Sequence, residues 1–406
     1  MSIVSVPQPH SIITIAALLT LPAPKRSMPT ERIAKRRPPS LRRRTLAVAG
    51  NTRDRFFRTE QLVQAEKTPF HIIHQIGIAK LRYYPALDVG HIDVAGERLA
   101  VNPDKLATPL VLVSPLAVNM FLYDLFPERS LVKYLRARGF ELYLVDWGRP
   151  DWRHNHYHLS NYITDLLPQM LGKVREHSGQ QKLSLHGWSF GGLFSLCTAA
   201  LDKDIINLAL IGAPCDYHAN GDIGKMYQRL ARQLRWVEKR TGWRVHNSRK
   251  RWWRSPGWAN SLAFKLTNPV GTMQGYAVLA GKLHDRQFVV SHATNSAFLE
   301  DMVAYPGGVI QDIIQYLWTD NVVASGKLPI ANSTATLADV NANIINVTGE
   351  KDVIVTHACS HRMLELVSSE DTQKLPVPGG HMGILGGSVG PKHIWPAVAD
   401  WLAARS

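Results

Sequence analysis

Cysteine is scarce in this chain. Three residues, Cys197, Cys215 and Cys359, stand far apart among 406. An odd, widely spaced set builds neither a disulfide framework nor a metal-ligand pattern, so no metal is expected and a reducing, cytoplasmic setting is. Membrane-length apolar runs are also wanting. The stretch Ile12–Leu21, IITIAALLTL, has ten residues, whereas a spanning helix needs about 20. No basic segment precedes it, which makes it a poor signal peptide. It reads instead as a weak membrane or granule contact, or as sequence upstream of the true start. Internal repeats are absent, which excludes a solenoid or propeller. Acidic residues are few, 32 Asp and Glu against 47 Lys and Arg, leaving a formal charge of +15.

That charge is unevenly placed. Lys25, Arg26, Arg32, Lys35, Arg36, Arg37, Arg42, Arg43 and Arg44 face a single acid, Glu31, in a stretch mixed with prolines. We read residues 1–65 as a disordered basic arm, able to meet anionic surfaces or nucleic acid without sequence specificity. A solvated tail without a fixed partner fits equally. Apolar residues make up 45% of the chain, enough for a large core and too many for wholesale disorder. The length allows one large α/β domain with an insertion, or two domains; we place one at 66–406.

Beyond Pro69 apolar runs alternate with helix-like periodicity. Leu110–Val113, Leu142–Trp147, Leu183–His186, Leu208–Gly212, Asn343–Val347 and Gln373–Pro376 read as strands. Leu131–Arg138, Tyr162–Glu176 and Trp395–Ala404 read as helices. Strand–helix alternation predicts a mostly parallel sheet with helices on both faces. Residues 214–330 break the rhythm with few strand signals and read as an inserted helical cap. Between Arg235 and Trp258 lie five tryptophans, Trp236, Trp243, Trp252, Trp253 and Trp258, interleaved with basic residues. That mixture suits an anionic ligand with a flat ring or a lipid-like interface. Tryptophans packed inside a cap with solvated charges is the plainer alternative.

The stretch Leu183–Leu193, LSLHGWSFGGL, carries the chemistry. Gly187-Trp188-Ser189-Phe190-Gly191 is a G-x-S-x-G turn between a predicted strand and a predicted helix, the context in which that motif presents a nucleophile. Glycine is needed on either side because a side chain there would strike the adjoining elements. A serine hydroxyl needs a base, and the base an orienting acid. With an elbow of this kind the chain order is serine, acid, histidine. Asp352 follows a late strand and His381 follows the next, so parallel strands bring both loops to the edge that holds Ser189. The oxyanion donors are expected from the Phe190 N–H and from the Pro115-Leu116-Ala117 loop, with Ala117 favoured. His357 and His393 fall where helices are expected, and His186 within its strand. Asp312 and Asp320 precede the late strand. His154, His156 and His158 look like a metal cluster, yet alternate spacing in a polar loop after Asp146-Trp147 more often marks surface residues.

Several further stretches resemble the polyhydroxyalkanoate synthases, most nearly the short two-subunit type. They are Thr108–Val113, Tyr123–Val132, Gly139–Gly148, Gly349–Asp352 and Pro378–Gly383. The similarity runs from about Pro69 to the C-terminus. It implies an α/β-hydrolase fold with a cap, and the joining of 3-hydroxyacyl units from coenzyme A thioesters into polyester. It also implies an acid at Asp352 and a base at His381. The family nucleophile is cysteine in G-x-C-x-G, and here that position is Ser189. A serine ester is less reactive toward a further acyl transfer than a thioester, and it turns over with water.

The resulting expectation is a serine hydrolase or acyltransferase acting on 3-hydroxyacyl esters or thioesters. No resident cofactor is expected, and a coenzyme A thioester enters only as substrate. A genuine polymerase, with a partner subunit or as a homodimer, is the alternative. A binding protein on a polyester granule or membrane surface is the other. No specific nucleic-acid partner is expected.

Overall fold

A computed structural model describes residues 41–266 and 269–406. The apolar run at 12–21 and the basic residues of 25–40 lie outside the described residues.

The centre is an eight-stranded sheet. Its strands are β1 (His71–Ile76), β2 (Ala79–Tyr84), β3 (Leu110–Val113), β4 (Leu142–Asp146), β5 (Leu183–Trp188), β6 (Ile205–Ile211), β7 (Asn343–Gly349) and β8 (Thr372–Val377). Their order across the sheet is β1-β2-β4-β3-β5-β6-β7-β8. From β4 to β8 the neighbours run parallel, while β2 runs antiparallel to both β1 and β4. The six predicted strands are all present. The β1–β2 hairpin was not foreseen, because His71, His74, Gln75, Lys80 and Arg82 break up the apolar signal of an edge pair.

Alternation along the central strands divides the core in two. Val111, Val113, Tyr143, Val145 and Leu185 point to one face. There they meet α3 (Leu167–Ser178) and α4 (Phe190–Leu201). Leu110, Leu112, Leu142 and Leu144 point to the other, against α2 (Leu131–Ala137) and the C-terminal α12 (Trp395–Ala403). Each buried leucine contributes roughly 1.5–3 kcal/mol. Helix ends follow local chemistry. Ser130 caps α2 by accepting from the Lys133 N–H, and Gly179 closes α3 in the left-handed conformation.

The N-terminal boundary needs correction. The expected disordered arm reached residue 65, yet Leu41–Phe57 form a helix, α1. Asn51 donates to the Leu283 carbonyl at 2.7 Å, and Arg286 donates to Asp54 at 2.7 Å. Leu62 is buried with Leu279, Val289 and Ala293. The positive charge of Leu41–Phe57 hid these specific contacts.

Between β6 and β7 the described residues hold no strand. They form α5 (Gly221–Thr241), α6 (Gly257–Leu266), α7 (Pro269–Gly281), α8 (Arg286–Glu300) and α9 (Gly307–Asp312). Of the five tryptophans between Arg235 and Trp258, Trp236, Trp252 and Trp258 are exposed. Arg240 lies over the Trp236 ring, 4.1 Å from its centroid. Short helices α10 (His357–His361) and α11 (Gly383–Gly386) follow β7 and β8. No described helix is long and apolar enough to cross a membrane.

Candidate active site

Ser189 stands between the last residue of β5 and the first of α4, at φ 54° and ψ −122°. A non-glycine residue at positive φ is strained and persists only where its surroundings hold it. Glycines make the turn feasible. A Cβ on Gly191 would overlap the Val113 carbonyl of β3, and one on Gly187 would lie 2.5 Å from the Gly191 carbonyl oxygen. The Ser189 N–H is tied to the Ile211 carbonyl at 2.9 Å.

The predicted partners converge on this serine. His381 Nε2 lies 3.0 Å from Ser189 Oγ, and His381 Nδ1 lies 2.7 Å from Asp352 Oδ2. The other Asp352 oxygen accepts the N–H groups of Ile354 and Val355 at 2.9 and 2.8 Å. Both carboxylate oxygens therefore have donors, and the Asp352 side chain is fully buried. With the proton of the neutral imidazole on Nδ1, facing Asp352, the Nε2 lone pair faces the serine hydroxyl. The Trp188 indole N–H donates to the His381 carbonyl at 3.3 Å, which helps fix the loop after β8.

Phe190 is the first residue of α4, so its N–H has no partner one turn back in the helix. Ala117, at φ 63°, is a second strained non-glycine residue. It lies in the loop after β3, and its carbonyl accepts the Val303 N–H at 3.0 Å. Asn119 adds two bonds to the same stretch, donating to the carbonyls of Phe298 and Asp301 at 3.2 and 3.0 Å. These ties between the loop after β3 and the end of α8 with the segment beyond it had no sequence signal, because about 180 residues separate their ends.

The rival residues lie elsewhere. His186 is buried within β5, its Nδ1 without a hydrogen-bond partner among the described residues. Burial pushes its pKa down to about 4. His357 opens α10 and bonds Thr348, and His393 lies in a helical turn before α12. Asp320 pairs with Arg244 at 2.6 Å. Cys197 is buried on α4, and burial pushes its thiol pKa up. The trio of His154, His156 and His158 is split. His156 is exposed, whereas His154, bonded to Asp151 in a capped turn, and His158, against Asp312, are half-buried, correcting the reading of those two as surface residues. A separate 440 Å³ cavity is lined by Lys80, Val118, Phe121, Arg149 and Val303, among others, and does not include Ser189.

Comparison with known proteins agrees with this architecture. The model of the alpha/beta hydrolase fold family matches residues 123–388. The chain is 27% identical over 346 residues to the poly(3-hydroxyalkanoate) polymerase subunit PhaC of Haloferax mediterranei, covering 85% of this chain and 65% of that protein. It is 26% identical to the subunit of the same name from Allochromatium vinosum, covering 75% of this chain and 82% of that one. Among solved structures, a soluble variant of the Saccharomyces cerevisiae monoglyceride lipase is similar, with 15% identity and a TM-score of 0.49, over 84% of this chain and 96% of that one.

Proposed function

The chain belongs to the alpha/beta hydrolase fold family, and from that premise we propose that it is a serine acyl-transfer enzyme acting on 3-hydroxyacyl thioesters or esters. One observation carries the reading, the continuous hydrogen-bonded chain Ser189–His381–Asp352 at 3.0 and 2.7 Å. The substrate class rests on the similarity to proteins named poly(3-hydroxyalkanoate) polymerase subunits.

In this reading Ser189 Oγ attacks the acyl carbonyl while its proton passes to His381 Nε2. The buried Asp352 carboxylate stabilises the imidazolium that forms. Charge developing on the carbonyl oxygen is met, in this reading, by the N–H groups of Phe190 and Ala117. Collapse expels the thiol or alcohol, which takes the proton from His381 and leaves an acyl-serine. Water, activated by the same histidine, then releases the hydroxy acid. No resident cofactor takes part, and coenzyme A enters as the leaving group of a thioester.

Chain growth is the second reading, favoured by the length over which the polymerase subunits match. The attacking group is then the hydroxyl of another hydroxyacyl unit. A partner subunit or a second copy belongs to this reading. Residues between β6 and β7 would act as the cap, and the exposed Trp236, Trp252 and Trp258 with nearby arginines would meet a polyester granule or membrane surface.

Purified protein incubated with 3-hydroxybutyryl coenzyme A separates these readings when free coenzyme A, free hydroxy acid and polymer are measured together. Equal release of coenzyme A and acid is the expected result. Polymer without acid would establish chain growth, and release of neither would remove the substrate assignment.

A further inference from the structure

Away from Ser189, three side chains from distant stretches converge. His158 lies in the segment after β4, His246 between α5 and α6, and Asp312 at the end of α9. His158 Nδ1 is 2.9 Å and His246 Nε2 is 2.8 Å from the same oxygen, Asp312 Oδ1. The three ligand atoms all lie within 4.8 Å of one another. We propose that His158, His246 and Asp312 bind a divalent transition-metal ion of the zinc class.

The donor set is the first argument. Two imidazoles and one carboxylate suit zinc, cobalt, nickel or ferrous iron, whereas calcium and magnesium prefer oxygen alone. Three protein ligands leave a coordination position for water. The second argument is support around the ligands. The other Asp312 oxygen accepts the Leu159 N–H at 2.7 Å, which fixes the carboxylate and presents Oδ1 to the histidines. Gly308 packs so closely that a Cβ there would lie 3.1 Å from Cε1 and Nε2 of His158, holding that ring in place. The third argument is access. The Asp312 side chain is 3% exposed, but each histidine is 26% exposed, so an ion can enter from solvent while its charge partner stays buried.

A bound ion would tie the inserted helical stretch, through His246 and Asp312, to the loop after β4. Each ring nitrogen that now faces Asp312 would offer its lone pair to the metal, with the ring proton on the other nitrogen.

The test uses the full chain, freed of metal with a chelator, desalted and equilibrated with zinc sulfate. Zinc retained on the protein is measured by mass spectrometry, and the melting temperature with and without zinc. One zinc per chain and a rise in melting temperature are expected. His246→Gln keeps an N–H to offer Asp312 but removes the imidazole. It should weaken zinc binding at least about tenfold, since even supporting residues around a ligand cost 10- to 100-fold. Asp312→Asn should do the same. If Asp312→Asn fails to fold, the comparison of wild type with His246→Gln stands alone. Equal zinc retention by wild type and His246→Gln, or no zinc retained by wild type, would overturn the proposal.

Discussion

The carbonyl of Ala117 accepts a hydrogen bond from the Val303 N–H at 3.0 Å. A loop that carries one of the proposed oxyanion donors is thereby fastened to the chain just beyond α8. Asn119 reinforces the link through the Phe298 and Asp301 carbonyls, and it is buried. Asn119→Ala should therefore lower kcat by about tenfold or more, because losing an oxyanion donor outright costs about 10²–10³. KM should change less. Steady-state kinetics on a chromogenic ester measures both, and a lower melting temperature with unchanged kcat would reduce Asn119 to a purely structural tie.

Two glycine-to-alanine changes should move in opposite directions. At Gly191 a methyl would overlap the backbone of β3, which cannot yield, so Gly191→Ala should abolish esterase activity and lower the melting temperature. At Gly172, in the interior of α3, a Cβ meets nothing within 4 Å. Gly172→Ala should stabilise by about 0.5–1 kcal/mol, since glycine costs that much in a helix. Denaturant unfolding monitored by circular dichroism checks the pair.

His186 predicts a pH dependence. Its folded pKa of about 4 lies below the ordinary 6.5, so the unfolded chain binds the extra proton between those values. Stability from this group is complete above pH 6.5 and is lost as pH falls toward 4. Going from pH 7.5 to 5 should cost about 2 kcal/mol through this residue. His186→Leu should lose correspondingly less over the same interval, as measured by urea midpoints. Parallel pH profiles would contradict the assignment.

Ser189→Cys tests how far the site is suited to chain growth. A thiol beside His381 can be held as a thiolate, and its acyl-enzyme is again a thioester. The ratio of polymer to free hydroxy acid should rise, with some rate loss because sulfur is larger than the oxygen it replaces. A ratio that stays at zero while acyl-cysteine forms would show that the chain-exit path does not support polymer.

Much of this arrangement was legible in the sequence. The central strands are uninterrupted apolar runs such as Leu110–Val113, and the elbow glycines mark a turn no other residue fits. Ser189, Asp352 and His381 follow each other in an order that strand topology brings to one edge. Residues whose meaning depends on distant partners were not legible. Asp312 reads as a surplus acid until it faces His158 and His246, 154 and 66 residues away. The β1–β2 hairpin was hidden because an edge pair tolerates charge on its exposed face. Helix α1 was hidden by its arginines, one of which, Arg55, is buried.

The central claim is that Ser189 is the nucleophile. A fluorophosphonate probe followed by peptide mapping tests it most directly. Labelling at Ser189 alone is expected, together with no labelling and an activity loss of at least about a thousandfold in Ser189→Ala. Labelling at another residue, or unchanged turnover in Ser189→Ala, would contradict it.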